Sequence, residues 1–301
     1  MEANMSDCAL PCPLHRGDAV PADIRILRRV DLRTGATGLG DPDGPYVAAV
    51  IDCETTGLSH DDDVIIELGL RRFHYDDRGV ITYIGKPYSW LEDPGFPLSP
   101  EVTKLTGLTD ADVAGRSLDD DRIDELMFGA TIRIAHNARF DRGFVERRLP
   151  PTAGRAWACS CDEVPWRERG FDGAARNLGW LLAQTGAWHD GHRAVADADA
   201  VIALMGHRFT DGATALSLLL RSSAARGWIV RAEGAPFEVK DRLKGRGYRW
   251  SPAERVWSKE IAHLDRADEE AWLAGSVYPT TARPGAAQPV FTEVTARTRY
   301  A

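Results

Sequence analysis

The sequence predicts an α/β fold, in which helices flank a mixed sheet, and a small α+β module that follows it. Strand-like segments come first as a meander and then alternate with helix-like segments, which is typical of such a sheet. A hydrophobic content of 44% is sufficient for a buried core. The length of 301 residues favours one large domain and a smaller one.

The meander opens the large domain. Residues 47–51 form an apolar run with the β-branched content of a buried strand, and Gly57 marks its end. Residues 64–74 and 80–88 have the same character and are separated by the turn-like residues 76–79, which predicts a β-hairpin. These segments give three adjacent strands.

Helices then enter the pattern. Ser99 followed by Pro100 resembles a helix start, with Ser as the N-cap and Pro at the first helical position. A further helix begins at Ser117, residues 131–135 form a short strand, and helical spacing resumes at Asp141. The remaining pattern predicts a possible strand at 157–160 and helices at 174–184, 196–209 and 214–225.

Composition divides the chain into four parts. They are an N-terminal extension, partly disordered (1–45), the large domain (46–226), a small module rich in basic and aromatic residues (227–276) and a flexible tail (277–301). Cys8, Cys12 and His15 have a loosely zinc-like spacing, but prolines crowd the segment and we interpret it as a mobile tail.

Charge and cysteine content exclude several classes of protein. A net charge of -8 argues against a protein held to nucleic acid by bulk charge. Five cysteines, an odd number, do not indicate a disulfide framework, so we expect a reducing, cytoplasmic location. We expect no signal peptide and no membrane association, because no basic stretch precedes an apolar core and no apolar run is long enough to span a bilayer.

Three short acidic segments, far apart in the chain, predict one metal site. They are residues 52–57 (Asp-Cys-Glu-Thr-Thr-Gly), 136–141 (His-Asn-Ala-Arg-Phe-Asp) and 192–197 (His-Arg-Ala-Val-Ala-Asp). Because side chains alternate along a strand, Asp52 and Glu54 point to one face and Cys53 points to the other, towards the core. Two adjacent carboxylates repel each other unless a cation lies between them, and oxygen ligands suit Mg²⁺ or Mn²⁺.

These motifs resemble the DEDDh, or DnaQ-like, family of 3'–5' exonucleases, from about Tyr46 to Phe209. Residues 64–69 and 104–109 add weaker matches outside the acidic segments. The resemblance implies a ribonuclease H-like fold, which is a five-stranded mixed sheet with helices around it. That fold agrees with the order of strands and helices described above.

The resemblance also implies roles for five side chains. Asp52, Glu54 and Asp197 would hold two divalent metal ions, Mg²⁺ or Mn²⁺, and Asp141 would complete the second metal site. His192 would be the general base, since imidazole accepts a proton near neutral pH. Taken alone, Asp141 is better explained as a charge favoured at a helix N-terminus. A lone histidine is usually structural, and only the spacing of His192 to Asp197 favours a role in the site.

Substrate contacts follow from the same resemblance. Thr55, Thr56 and Gly57 leave the strand next to the metals, and their backbone would approach the terminal nucleotide. Leu58 would wedge against the terminal base and Phe140 would stack on it. The alternative is that both side chains lie in the core.

The expected activity is hydrolysis of phosphodiester bonds at DNA 3' ends, with release of nucleoside monophosphates. Degradation of RNA or short oligonucleotides and a nucleic-acid-binding adaptor without activity remain alternatives. The expected partner is a nucleic acid with a free 3' end, and a DNA polymerase is a candidate. In the small module we interpret Trp250 and Trp257 as core residues and the Arg and Lys side chains as a face that can contact DNA.

Overall fold

The computed structural model describes residues 25–173, 175–252, 254–278 and 287–301. The chain forms two compact units, a main unit of residues 1–222 with 300–301 and a small unit of residues 223–299. The boundary therefore falls four residues before the one expected from composition. Most of the predicted N-terminal extension, with Cys8, Cys12 and His15, lies outside the described residues.

The main unit contains eight strands and seven helices among its described residues. The strands are β1 (Arg28–Arg29), β2 (Gly35–Ala36), β3 (Tyr46–Thr55), β4 (Ile65–Tyr75), β5 (Ile81–Leu91), β6 (Ile132–Ala135), β7 (Trp157–Cys159) and β8 (Ala187–Trp188). The helices are α1 (Pro100–Thr106), α2 (Asp110–Val113), α3 (Asp120–Phe128), α4 (Ala138–Arg148), α5 (Leu178–Gln184), α6 (Ala194–Met205) and α7 (Ala215–Ala224). The last of these helices runs across the boundary into the small unit.

Six of these strands form one mixed sheet in the order β2-β5-β4-β3-β6-β7. The long strands β3, β4 and β5 are the antiparallel meander predicted from the sequence, while β6 and β7 run parallel to β3. The α/β, ribonuclease H-like fold class is confirmed. The sheet has six strands rather than five because the two residues of β2 pair with the edge strand β5.

Both faces of the sheet are covered by helices. Ala48 and Val50 of β3 belong to an apolar cluster with residues of α5, α6 and α7. Ile51 and Cys53 belong to a second cluster, with residues of α3 and α4 on the opposite face. The strand therefore alternates between two buried layers, and Cys53 lies in the core as predicted.

Local signals in the sequence explain the helix ends. The Ser99 hydroxyl accepts a hydrogen bond from Val102 N at 3.2 Å, and Pro100 occupies the first turn, as the sequence predicts. The helix ends at Gly107, whose φ of 73° is the left-handed conformation that glycine adopts at low cost. Among the described residues, no helix combines the length and the apolar character needed to cross a bilayer.

The described residues of the small unit form a four-stranded sheet with two helices. Its elements are β9 (Gly227–Ala232), α8 (Lys240–Gly245), β10 (Arg249–Ser251), β11 (Val256–Ala262), α9 (Arg266–Ser276) and β12 (Val290–Val294). The strand order is β10-β11-β9-β12, and every neighbouring pair is antiparallel.

Two expectations for the small unit are wrong. The predicted flexible tail contains β12, which pairs with β9 and buries Val294 to 1% exposure, because pairing with a distant strand completes a sheet edge that composition alone does not reveal. Trp250 is 47% exposed rather than part of the core, because it lies on the edge strand β10. Trp257 on the neighbouring strand does pack against the core of the unit.

Candidate active site

Strand β3 presents Asp52 and Glu54 on the face of the sheet that α6 covers. Asp52 lies opposite Gly69 of β4, and Glu54 lies opposite Glu67. The register of the two strands shifts between Glu54 and Thr55, where Thr55 pairs with Ile65, so the pairing is irregular directly after the two carboxylates. This geometry places both carboxylates at the carboxyl end of the central strand, where Glu54 is buried and Asp52 is partly buried.

Helix α6 brings the third carboxylate to the same place. A Cβ atom at Gly69 would lie 2.4 Å from the carbonyl carbon of Ala194, so only glycine permits the start of α6 to lie this close to β4. Asp197 follows in the first turn of the helix. One ligand oxygen from each of Asp52, Glu54 and Asp197 lies within 4.8 Å of the others.

Asp141 approaches from the opposite layer. It lies in the first turn of α4 and is buried, and its Oδ1 accepts a hydrogen bond from Cys53 N at 3.0 Å. The N-terminus of α4 favours the negative charge of Asp141, in line with one of the two interpretations drawn from the sequence. Asp141 also lies close enough to Asp52 to raise the pKa of that carboxyl.

Three carboxyl groups of the site, those of Asp52, Glu54 and Asp141, have pKa values raised above their ordinary values. Burial, followed by the charges of Asp141 and Asp197, raises the pKa of Asp52 well above its ordinary value. Burial also raises the pKa of Glu54 to about 7, with Asp197 and Glu67 adding to the effect and Arg193 opposing it.

Burial likewise raises the pKa of Asp141 to about 7, although the hydrogen bond from Cys53 N opposes the rise. A cluster of this kind becomes fully ionised only when positive charge enters it. Its donors are all carboxylate oxygens, which are the ligands of hard divalent cations. The residues therefore fit Mg²⁺ or Mn²⁺.

His192 lies just before α6, at the edge of this cluster. Its side chain is exposed, and no hydrogen bond or ion pair of that side chain is found within the described ranges. Its φ of 66° is in the left-handed region, which is uncommon for residues other than glycine. The next residue, Arg193, donates from its backbone N to Asp197 Oδ2 at 3.1 Å, so the histidine is anchored next to the carboxylates while its ring stays free.

A second histidine, which was not among the predicted site residues, contacts the cluster directly. Nε2 of His189 lies 2.9 Å from Oδ1 of Asp197, and the His189 side chain is only 9% exposed. Its position just after the two-residue strand β8 gives no periodic signal that would distinguish it. It restricts the orientation of the Asp197 carboxylate.

Glu67 was also missed as a site residue, although its segment was noted. Its side chain is almost fully buried and accepts hydrogen bonds from Ser89 Oγ at 2.8 Å and from Arg193 Nε at 3.1 Å. Glu67 Oε2 also accepts from Ala194 N at 3.3 Å, at the start of α6. The residue therefore joins β4, β5 and the segment that carries His192.

His136, by contrast, has both ring nitrogens engaged. Nδ1 lies 2.8 Å from Ser160 Oγ, and Nε2 lies 2.7 Å from the carbonyl oxygen of Arg176. Burial lowers the pKa of this imidazole. These contacts describe a structural histidine, in agreement with its omission from the predicted site.

The end of β3 and the loop after it carry four of the predicted substrate-binding residues. Thr55 Oγ1 donates to the carbonyl of Gly57, and Thr56 Oγ1 donates to Asp63 Oδ1 at 3.0 Å. A Cβ atom at Gly57 would lie 2.5 Å from the Asp63 carboxylate, so glycine at this position makes room for that side chain. Leu58 is 84% exposed and is therefore not a core residue.

Phe140 is half-buried. Its ring packs against Phe144 with the centroids 4.9 Å apart, and it contacts the apolar cluster beneath β3. Its carbonyl oxygen lies 3.0 Å from His60 Nε2. The ring thus belongs partly to the core and partly to the surface beside Asp141.

Comparison with known proteins agrees with this geometry. The family model of the exonuclease domain called RNase T matches residues 49–205, which is more than half of the chain and includes all three acidic segments. The chain belongs to the DnaQ-like family of 3'–5' exonucleases. The resemblance inferred from the motifs is confirmed.

Curated relatives include PolC-type DNA polymerase III proteins. The protein from Clostridium perfringens is 29% identical over 177 residues, which is 56% of this chain and 11% of the relative. The protein from Listeria monocytogenes is 41% identical over 105 residues, which is 32% of this chain and 6% of the relative. The chain thus spans about a tenth or less of the length of these relatives.

Solved structures of Escherichia coli exonuclease I share the fold. A complex of that enzyme with an oligonucleotide is 16% identical, covers 72% of this chain and 63% of the exonuclease I chain, and has a TM-score of 0.50. At this level of identity the similarity concerns the fold of the exonuclease family.

Proposed function

We propose that this protein is a 3'–5' exonuclease that hydrolyses phosphodiester bonds at DNA 3' ends and releases nucleoside monophosphates. The observation that carries the proposal is the convergence of Asp52, Glu54 and Asp197 within 4.8 Å, in a chain that belongs to an exonuclease family. The raised pKa values of Asp52 and Glu54 support a site whose carboxylates work with bound cations rather than as free acids.

Two divalent metal ions, Mg²⁺ or Mn²⁺, are the proposed cofactors. Asp52, Glu54 and Asp197 would hold them, and Asp141 would complete the second site. When bound, such ions activate a water molecule and offset the negative charge of the phosphodiester. The protein supplies a rigid strand and two helix N-termini, which fix the carboxylates before the substrate arrives.

His192 is the proposed general base. Its exposed ring is free to face a substrate, and imidazole can take the proton that the attacking water loses. His189 is less suited to this role, because its Nε2 is already engaged with Asp197. The left-handed backbone at His192 is typical of strained residues at functional sites.

The proposed substrate surface lies on both sides of the carboxylates. Thr55, Thr56 and Gly57 would present their backbone to the terminal nucleotide, and the exposed Leu58 would contact its base. Phe140 would add an apolar surface for stacking. A DNA polymerase is a candidate partner, because curated relatives bear the name DNA polymerase III PolC-type.

End-labelled substrates test this function. With Mg²⁺ or Mn²⁺, 5'-labelled single-stranded DNA should shorten progressively, whereas 3'-labelled DNA should lose its label at once as a mononucleotide. EDTA and the variant Asp52→Asn should both stop the reaction. RNA substrates of the same sequence distinguish a DNA exonuclease from an exoribonuclease. Removal of nucleotides from the 5' end, or activity of Asp52→Asn equal to that of the wild type, would reject the proposal.

A further inference from the structure

The segment before the large domain is built into the main unit. Residues 25–37, here called the strap, precede the residues that the family model matches. The strap contributes β1, which pairs in parallel with β8, and β2, which pairs with β5. The sequence predicts an N-terminal extension here, but the structure gives β1 and β2 strand partners.

The strap is the partner of the strand that leads to His192. Arg28 N donates to the carbonyl of Gly186 at 2.9 Å, and Val30 N donates to the carbonyl of Trp188 at 2.8 Å. In the part of the chain that the structure describes, β1 is the only strand that pairs with β8. Four residues after β8, the chain reaches His192.

A side-chain contact extends this pairing into the segment itself. Residues 189–193, here called the histidine loop, begin directly after β8 and end at α6. The guanidinium of Arg29 forms an ion pair with Asp190 in that loop and lies 5.8 Å from the centroid of the Trp188 ring. The strap therefore contacts the histidine loop as well as the strand before it.

The other end of the strap is fixed to the core. Leu32 is buried in the apolar cluster that lies between the sheet and α6, and its carbonyl accepts from Arg71 Nη2 at 2.9 Å. Arg71 Nη1 also contacts both carboxylate oxygens of Asp199 at 2.8 Å, two residues after Asp197. The strap is thus tied to the same helix that carries a candidate metal ligand.

A cavity of about 650 Å³ lies between these elements. Arg29 and Val30 of the strap line it together with His189, Asp190 and Arg193 of the histidine loop. The loop is therefore not packed against the sheet along its whole length, and the strap supplies contacts that the sheet does not. A loop with open space beside it depends on such contacts to hold one conformation.

We infer that the strap positions the histidine loop, so that residues 25–37 are a working part of the exonuclease site rather than an appendage. The inference rests on the proposed role of His192. Both side chains of the Arg29–Asp190 pair are exposed, so the pair contributes little to the stability of the fold. A small displacement of a catalytic side chain nevertheless has a large effect on turnover. Loss of the strap contacts therefore lowers kcat and leaves KM for DNA nearly unchanged.

The decisive variant removes one backbone donor. Val30→Pro deletes the N–H that donates to Trp188, and Val30→Ala is the matched control that keeps it. In the full-length protein, Val30→Pro should lower kcat on 5'-labelled single-stranded DNA about tenfold or more. It should also speed amide hydrogen exchange in residues 186–193, while Val30→Ala stays within about twofold of the wild type in kcat.

A charge exchange tests the contact without altering the backbone. Arg29→Glu should lower kcat about two- to fivefold, in keeping with an exposed ion pair, and the double variant Arg29→Glu with Asp190→Arg should restore it. Arg28→Ala is the control, because the Arg28 side chain is exposed and makes no ion pair within the described residues. Restoration of kcat by the double variant is a result that general destabilisation would not produce.

Hydrogen exchange separates this inference from the proposed function. Unchanged exchange of residues 186–193 in Val30→Pro, or equal kcat in Val30→Pro and Val30→Ala, would overturn the positioning role. If the wild-type protein degrades no DNA with either metal, the proposed function fails. The exchange measurement still decides in that case whether the strap holds the histidine loop.

Discussion

Gly69 on β4 lies directly opposite Asp52 on β3, and its lack of a side chain allows α6 to approach the sheet. A Cβ atom at Gly69 would lie 2.4 Å from the Ala194 carbonyl carbon and 2.6 Å from Val195 N. Both atoms belong to backbone at the start of α6, so the clash could not be relieved by a change of rotamer. The distance between Asp52 and Asp197 therefore depends on a glycine that carries no functional group.

We expect Gly69→Ala to lower nuclease activity about 100-fold or more, because it pushes Asp197 away from Asp52. It should also reduce the free energy of unfolding by about 1–3 kcal/mol, as overpacking of a core does. Gly179→Ala in α5 is the control, since its Cβ would lie 3.9 Å from Asn177 Oδ1, an ordinary contact distance, and a helical alanine is favoured over glycine. Thermal unfolding and the DNA degradation assay measure both effects, and full activity in Gly69→Ala would show that the close approach of α6 is unnecessary.

The raised pKa values of Glu54 and Asp141, both about 7, predict how the stability of the metal-free protein depends on pH. The ordinary pKa values are 4.5 for Glu54 and 3.8 for Asp141. Between these values and about pH 7, the two groups bind more protons in the folded state than in the unfolded state. The contribution of these groups to the free energy of unfolding therefore falls as pH rises through this range. The cluster is most destabilising above about pH 7, where metal binding has the largest effect.

Melting temperatures in EDTA and in Mg²⁺ test this dependence. Without metal, Asp52→Asn should be more stable than the wild type at about pH 8, and the difference should close at about pH 5. Added Mg²⁺ should raise the melting temperature of the wild type at the higher pH and have little effect on the variant. Asp121→Asn, an exposed residue of α3, is the control, and an identical pH profile for wild type and Asp52→Asn would refute the electrostatic account.

The two histidines beside Asp197 should have different kinetic effects. His192→Gln should lower kcat about 10²–10⁴-fold even at saturating metal, because the loss is that of a general base. His189→Gln should instead raise the metal concentration needed for half-maximal activity about 10–100-fold, because His189 contacts the carboxylate of Asp197. Turnover measured over a Mg²⁺ titration separates the two, and a His192→Gln variant with wild-type kcat would exclude it as the base.

The sequence revealed those parts of the site that have a local pattern. The alternation of side chains along one strand predicted that Asp52 and Glu54 share a face and that Cys53 faces the core, and the structure shows this arrangement. The helix start at Ser99 was also visible, because a cap and a proline occupy adjacent positions. Each of these features depends on neighbours within a few residues.

The missed features depend on pairing between distant segments. His189, Glu67 and the strap acquire their roles only through strand register and through contacts across the fold. The strand at Val290–Val294 was missed for the same reason, since its partner is β9, about 60 residues earlier in the chain. A single sequence without strand register gives no signal for such contacts.

The small unit carries both an exposed aromatic side chain and several basic side chains for which the described residues supply no carboxylate partner. Trp250 is 47% exposed and packs on Trp257 with the ring centroids 5.6 Å apart. Lys240, Lys244 and Arg249 have no carboxylate partner within the residues that the structure describes. Such a combination suits the stacking of a base next to a phosphate.

We therefore expect Trp250→Ala to weaken binding of single-stranded DNA about fivefold or more, with unchanged kcat at saturating substrate. Fluorescence anisotropy in an Asp52→Asn background measures binding without degradation. Leu264→Ala is the control, because Leu264 is an apolar residue of the same unit with 91% exposure. If Trp250→Ala and Leu264→Ala bind DNA with equal affinity, Trp250 has no role in DNA binding.

The central claim is that Asp52, Glu54, Asp141 and Asp197 hold two divalent cations, and anomalous diffraction from crystals soaked in Mn²⁺ tests it most directly. The account predicts two manganese peaks about 3.5–4 Å apart among these carboxylates in the wild type. It also predicts their loss in Asp52→Asn crystals treated in the same way. A map in which manganese binds elsewhere, or in which the peaks persist unchanged in the variant, would contradict the account.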